Sequence, residues 1–256
     1  MIKIAVVQSK GGSSRSTTCF NLSTALQRQT NGRLLMVDLD EQGSLSSSFL
    51  ATIPTDNTVL NIFEGKPVTP TPTYSSMIDI LPATRELGTI TAKANADFEI
   101  MYRLADFLDG QTTYDMVIID TPPSIGHFTM SALVAAEWVL VPVSTQIYSV
   151  QVLDDVLDVM MKVKKRINSK LRLLGVIPSI TDRTVVSRQI QNELTSKFNG
   201  HTLPSISRTV KIEESHIHRK TVLDHFPSSV VAIEYITLAS AILERIKKDT
   251  EGKANG

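Results

Sequence analysis

A cationic, hydroxyl-rich turn near the N-terminus carries residue types that bind phosphate. Residues 9–18 read Ser-Lys-Gly-Gly-Ser-Ser-Arg-Ser-Thr-Thr and follow the apolar run 2–7. In phosphate-binding loops, backbone N–H groups cradle the phosphates, a lysine reaches the outer ones, and the next hydroxyl binds Mg²⁺. The sequence therefore predicts such a loop, with Arg15 in the lysine position and Ser16 as the hydroxyl.

Two later segments place carboxylates at the ends of apolar strands. The run Leu-Leu-Met-Val ends at Asp38, with Asp40 two residues on, and the run Met-Val-Ile-Ile ends at Asp120. A single aspartate at a strand end often only caps the next helix, but two at this spacing favour a ligand site. Ligands of open α/β sheets bind beyond the carboxyl ends of the strands. Because Mg²⁺ prefers hard oxygen ligands, Ser16 and Asp120 fit a magnesium site.

These side chains need a sheet that brings strand ends together. Continuous apolar runs, separated by longer helical patterns, indicate strands buried on both faces and joined by right-handed crossovers. We predict an α/β fold, a single doubly wound, mostly parallel twisted sheet flanked by helices, over one domain spanning residues 1–248. Residues 249–256 are expected to fray, and the Pro/Thr-rich stretch 66–76 is interpreted as a surface loop. The predicted strands are 2–7, 34–38, 78–82, 116–120, 138–142 and 171–178.

The amino-acid composition argues against several classes of protein. Twenty-six basic and twenty-six acidic residues balance among 256, so binding to nucleic acid requires a local basic face. One cysteine, Cys19, argues against a disulfide framework or a cysteine-rich metal site. The sequence has no signal-like N-terminal segment and no long apolar run, which favours a cytoplasmic protein with no membrane contact.

The first loop resembles the deviant Walker A motif, KGGxGK[ST]T, of the ParA/MinD ATPases. The segment from Asp38 resembles the DxDPQ motif of that family, with Glu41 in place of the proline, and the segment ending at Asp120 resembles its Walker B strand. Looser similarity to ParA-type partition proteins covers nearly the whole chain. The single Cys19 argues against the nitrogenase iron-protein relatives, which share the loop but need paired cysteines for a cluster.

The resemblance implies roles for individual residues. Lys10 would reach the nucleotide of the partner subunit, while Arg15 stands at the position that serves its own subunit. Asp38 would hold the Mg²⁺ shell through water, and Asp40 would orient the attacking water. Arg208 begins a segment that lies near the nucleotide in the family. The implied contacts to ATP or ADP are completed by Gly11, Gly12, Ser13, Ser14, Arg15, Ser16 and Thr17, and those to Mg²⁺ by Ser16, Asp38 and Asp120.

Partners follow from the same resemblance. Arg183 and Lys211 fall on positions that contact DNA in the family without regard to sequence, and Arg219 and Lys220 extend the patch. Scattered Lys and Arg contacts to phosphate give salt-dependent, sequence-independent binding. The implied partners are a second copy bridged by ATP, non-specific DNA, and a ParB-like centromere-binding or cargo adaptor protein. A nucleoid-associated location is expected.

Arg15 bears on the enzymatic activity. Its planar guanidinium is longer than the compact ammonium of lysine, and a phosphate loop is shaped for the latter. Because transition-state stabilisation depends on closely placed donors, a misplaced cation could cost on the order of a hundredfold in rate. We expect ATP binding with weak or absent hydrolysis. Ser14 occupies the usual second glycine, which a short polar residue can replace if φ is negative.

Other functions remain open at this stage. A MinD-like membrane-positioning protein would need a C-terminal amphipathic helix richer in bulky apolar residues than residues 242–248. A non-hydrolysing module that uses ATP to join two subunits would suit Arg15. A small-molecule enzyme, such as a relative of dethiobiotin synthetase, would need a substrate pocket that the sequence does not indicate.

Overall fold

The protein is described from a computed structural model that covers residues 1–8, 12, 14–94, 98–145 and 151–254. Its elements alternate along the chain, as the βαβ pattern predicts. The strands are β1 Ile2–Val6, β2 Leu34–Asp38, β3 Thr71–Pro72, β4 Ile78–Leu81, β5 Met116–Asp120, β6 Trp138–Ser144, β7 Arg172–Thr181 and β8 Ile206–Ser207. The helices are α1 Arg15–Thr30, α2 Ser44–Phe49, α3 Val59–Glu64, α4 Thr89–Ala94, α5 Arg103–Asp109, α6 His127–Ala135, α7 Gln151–Arg166, α8 Val185–Lys197, α9 Val210–Ile217, α10 Val222–His225 and α11 Val230–Ala254, with 3₁₀ turns at Arg85–Gly88 and Phe98–Met101.

The strands form one sheet in the order β3-β4-β2-β5-β1-β6-β7-β8. Every pairing is parallel except β3 with β4. The predicted doubly wound, mostly parallel sheet flanked by helices is therefore confirmed. The order sets β5 between β2 and β1, so the carboxyl ends of the three motif-bearing strands are neighbours.

Alternate residues of each strand pack on opposite faces of the sheet. On β5, Val117 and Ile119 belong to a hydrophobic cluster with side chains of α3, α5, α6 and α7. Met116 and Ile118 belong to a second cluster with side chains of α1, α2, α10 and α11. Burial on both faces explains why the strand sequences are continuously apolar rather than alternating.

Two edge strands were not predicted. The stretch 66–76, interpreted as a loop, contains β3, whose Thr71 pairs with Ile80 on β4. The two-residue β8 pairs with β7 on the other edge. Both are too short to show periodicity, and proline is tolerated in β3 because an edge strand has one unpaired side.

The C-terminal segment is helical in the structure. Helix α11 continues to Ala254, and the expected fraying of residues 249–256 stays a prediction. Exposed i,i+4 ion pairs support this last part, with Lys247 facing Glu251 and Lys248 facing Glu244. No helix in the described part of the chain is long and apolar enough to span a membrane.

Candidate nucleotide site

The phosphate-binding loop lies between β1 and α1. Of its predicted contact residues, Lys10, Gly11 and Ser13 lie outside the described residues, so their assigned roles stay predictions. Gly12 has a φ of 74° and Ser14 a φ of 64°. The condition for replacing glycine without strain, a negative φ, is therefore not met at Ser14, because the loop keeps the left-handed turn that glycine normally supplies here.

Arg15 opens α1 and is only 7% exposed. Its Nη1 donates to the carbonyl oxygen of Gln8 at 2.7 Å, and its Nη2 lies 3.7 Å from Oδ2 of Asp40. The Nε group is buried and has no hydrogen-bond partner among the described residues. A buried cation with an unsatisfied donor, at the positive end of a helix, favours an anionic ligand at this position.

Asp38 and Asp120 are register partners at the ends of β2 and β5, yet their surroundings differ. Oδ2 of Asp38 accepts hydrogen bonds from the backbone and the hydroxyl of Ser46, at 2.9 and 2.7 Å, and Oδ1 accepts one from the backbone of Asp40 at 3.0 Å. Burial raises the pKa of Asp38 to about 6 against these hydrogen bonds, which lower it. Through these hydrogen bonds, Asp38 stabilises the turn that leads into α2.

Asp120 has no such support. It is fully buried, and neither carboxylate oxygen has a hydrogen-bond partner among the described residues. Burial and, after it, the charge of Asp38 raise its pKa to about 8, although the nearby Ser16 hydroxyl and the charge of Arg15 act to lower it. A buried carboxylate without partners is costly, and a bound cation would relieve that cost. The Asp120 carboxylate and the Ser16 hydroxyl therefore form a donor set of the kind that suits Mg²⁺.

Asp40 is held on both sides. Its Oδ1 accepts from the backbone of Gln42 at 3.0 Å, while Oδ2 faces Arg15. The predicted water-orienting carboxylate is therefore engaged with the loop cation in this structure.

A cavity of about 350 Å³ adjoins the loop. Gly12, Ser14, Thr17 and Arg208 all line it, so the structure brings these four predicted contact residues together. The sequence-based prediction missed the apolar part of the wall, formed by Ile180, Ile206, Ile212 and Tyr235.

Ile180 has a φ of 57°, a strained value for a β-branched residue, at the irregular end of β7. Such strain is not visible in the sequence.

The predicted DNA contacts divide into two groups. Arg219 and Lys220 lie in the exposed turn after α9, and Lys211 lies on that helix. A chain of contacts runs from Lys211 to His218, the residue before Arg219: the Lys211 ammonium lies 5.5 Å from the centre of the Phe226 ring, which packs on His225, which packs on His218. Arg183 is exposed in the separate turn between β7 and α8.

Comparisons with known proteins show the family to which this chain belongs. A family model described as an AAA domain matches residues 1–173. The chromosome-partitioning ATPase Soj of Thermus thermophilus is 32% identical over 249 residues, which cover 96% of this chain and 97% of that protein. The chain belongs to the ParA/Soj family of partition ATPases.

Solved structures similar to this ParA-family chain include complexes with nucleotides. Cobyrinic acid a,c-diamide synthase of Mycobacterium smegmatis, with a bound ATP analogue and magnesium, is 28% identical, with a TM-score of 0.82 and 96% of each chain covered. The ATP complex of McdA from Cyanothece has a TM-score of 0.84, also with 96% of each chain covered. At 17% identity, the second likeness supports the fold alone.

Proposed function

We propose that this ParA-family chain is an ATP-dependent dimerisation switch that binds DNA without sequence specificity and drives partition or positioning of plasmid or chromosomal DNA. One observation carries the proposal: among the described residues, the buried carboxylate of Asp120 near Ser16 has no hydrogen-bond partner, and neither has the buried Nε group of Arg15 in the adjoining loop. The names of the relatives, Soj among them, favour partition as the cellular role.

Each described residue has a task in this proposal. Arg15 would donate to the phosphates of ATP, which would compete with the Gln8 carbonyl and with Asp40 for its guanidinium. Arg208 and the apolar wall would hold the rest of the nucleotide. Ser16 and Asp120 would hold Mg²⁺, together with Asp38, the register partner of Asp120 on the neighbouring strand. When bound, Mg²⁺ neutralises charge on the phosphates.

Hydrolysis needs Asp40 to orient water at the outer phosphate. In the structure, Asp40 faces Arg15 instead. ATP must therefore draw the guanidinium away before this carboxylate can act. Together with the poorer fit of a guanidinium in a loop shaped for lysine, this supports slow turnover.

Dimerisation and DNA binding would follow from ATP binding. Lys10 of each subunit would contact the phosphates of the other, and the closed dimer would present the turn carrying Arg219 and Lys220. A ParB-like adaptor would stimulate hydrolysis and reopen the dimer.

The test is sedimentation of the full chain with Mg²⁺ and either ATP or ADP. We expect dimers with ATP alone, and their loss in Lys10→Ala but not in the matched surface variant Lys66→Ala. A monomer under all conditions would reject the switch, and an ATP-dependent dimer that survives Lys10→Ala would reject the role of Lys10.

A small-molecule enzyme is the second candidate, because a cobyrinic acid a,c-diamide synthase is 28% identical. ATP consumption that depends on an added organic acid and accompanies its conversion to an amide would favour it. Dependence of turnover on DNA and an adaptor would favour the partition switch.

A further inference from the structure

A second cavity lies at the opposite end of the strands from the phosphate loop. Its volume is about 480 Å³, and its walls come from the first residues of β6 and β7 and from the later turns of α7 and α11. Pockets that bind small molecules measure roughly 300–1,000 Å³. Because the strands are parallel, this amino-terminal end is remote from the nucleotide site.

Positive charge dominates this cavity. Its lining contains three permanent cations, Lys164, Arg172 and Arg245, and one carboxylate, Asp249. Asp249 pairs with Arg172. The lining thus carries more positive than negative charge, and an anion would find complementary groups there.

Arg245 is built into the cavity wall. Its Nη1 donates to the Leu174 carbonyl and its Nη2 to the Gly200 carbonyl, both at 2.6 Å. A Cβ at Gly175 would lie 2.8 Å from Nη1, so the absence of a side chain at Gly175 allows the guanidinium to reach this position. Carbonyl oxygens carry no formal charge. These bonds therefore fix Arg245 in place without neutralising it.

The other side of the cavity is apolar. Trp138 is 6% exposed, and the Arg172 guanidinium lies 5.4 Å from the centre of its ring. Leu157, Met160 and Met161 from α7 line the same cavity, and methionine side chains adapt readily to different ligand shapes. A site with fixed cations on one side and adaptable apolar groups on the other suits an amphipathic anion.

We propose that this cavity binds a small organic anion, with its carboxylate, sulfonate or phosphate group toward Lys164, Arg172 and Arg245 and its apolar body against Trp138 and Met160. The site is separate from the nucleotide site, so the inference does not depend on the function proposed above.

His201 offers a local reporter of binding. It lines the cavity, and its pKa is lowered first by burial and then by the positive charge of Arg245. A bound anion would offset that charge and raise the pKa of His201. A ligand bound at a distant place would not.

The experiment uses two fluorescent probes that differ only in charge. The probes are 1-anilinonaphthalene-8-sulfonate and its neutral analogue N-phenyl-1-naphthylamine. Trp138 is the only tryptophan in the chain, so its fluorescence, excited at wavelengths that tyrosine does not absorb, reports probe binding from within the cavity wall. Titrations are made with saturating ATP and Mg²⁺, which keeps the probes out of the nucleotide site.

We expect the sulfonate to bind about tenfold more tightly than the neutral probe. Lys164→Gln should weaken sulfonate binding roughly threefold, while Lys165→Gln, on the same helix outside the cavity, should leave it unchanged. NMR titration should show a higher pKa for His201 in the sulfonate complex. Equal affinities for the two probes, equal effects of the two lysine variants, or an unmoved His201 pKa would each overturn the proposal.

Discussion

Nη2 of Arg15 lies 3.7 Å from Oδ2 of Asp40, and both side chains are almost fully buried. The cation expected to hold phosphate thus faces the carboxylate expected to orient water. Twenty-five positions separate the two residues in sequence. In the proposed function, ATP that binds Arg15 releases Asp40 from this contact.

Arg15→Lys should raise the single-turnover rate of ATP hydrolysis by about a hundredfold. The compact ammonium fits the loop and donates from a point, which lets the phosphates and Asp40 take their own positions. Rapid-quench measurements on both forms, with dimerisation followed on the same samples, test this. The control is Arg28→Lys, the same substitution at a partly exposed residue on the same helix. Equal rates in all three proteins would mean that arginine works as well as lysine here.

Asp120 should make the nucleotide-free protein less stable as pH rises. Its pKa is raised from 3.8 to about 8 in the folded state. Below pH 4 the group is protonated in both states and costs nothing. Above it, the unfolded chain ionises first, so the free energy of unfolding falls until the folded group also ionises near pH 8. The loss should be on the order of a few kcal/mol.

Urea unfolding at pH 5 and pH 8 measures this effect. Asp120→Asn should reduce the pH dependence and be more stable than the parent at pH 8, while losing Mg²⁺-dependent ATP binding. The matched variant Asp38→Asn should instead destabilise by about 1–3 kcal/mol at pH 8, where Asp38 is ionised, because Ser46 and Asp40 then lose an ionised acceptor. The interpretation fails if the two variants change stability in the same direction.

Ser14→Gly should stabilise the protein by about 1 kcal/mol, because a φ of 64° strains any residue with a Cβ. Glycine in an ordinary helix has the opposite effect, so Ser47→Gly on α2 should destabilise by roughly the same amount. Thermal unfolding of both variants distinguishes the signs. Destabilisation by Ser14→Gly would mean that its hydroxyl matters more than its backbone.

Binding to DNA should depend on two separate basic turns. Arg183→Glu and Arg219→Glu should each weaken binding of the ATP-bound form uniformly across unrelated DNA sequences. Each should also lower the slope of log affinity against log salt by about 1 or more. ATP binding should not change. Lys247→Glu on α11 is the control for surface charge. Fluorescence anisotropy in a salt series gives both quantities, and normal slopes in the two arginine variants would exclude these turns as the contact surface.

Much of the site could be predicted from sequence because its signals are local. A loop after an apolar run and carboxylates at strand ends are each contained within about ten residues, and the rule that ligands lie beyond parallel strand ends brings them together. The same sequence patterns did not predict the short edge strands. The two residues of β3 and of β8 carry no periodicity, and pairing with β4 and β7 alone makes them strands.

By itself, the sequence determined the α/β class, the order of the motifs and the family, because buried parallel strands require continuous apolar runs and a phosphate loop requires particular residues at fixed spacing. Only the tertiary structure decided that Asp38 bonds to Ser46 while Asp120 has no hydrogen-bond partner in the part of the chain that the structure describes, and that Arg15 faces Asp40. These contacts depend on the order of the strands in the sheet and on how far each side chain is buried from water. Both arise from packing between segments that are distant along the chain.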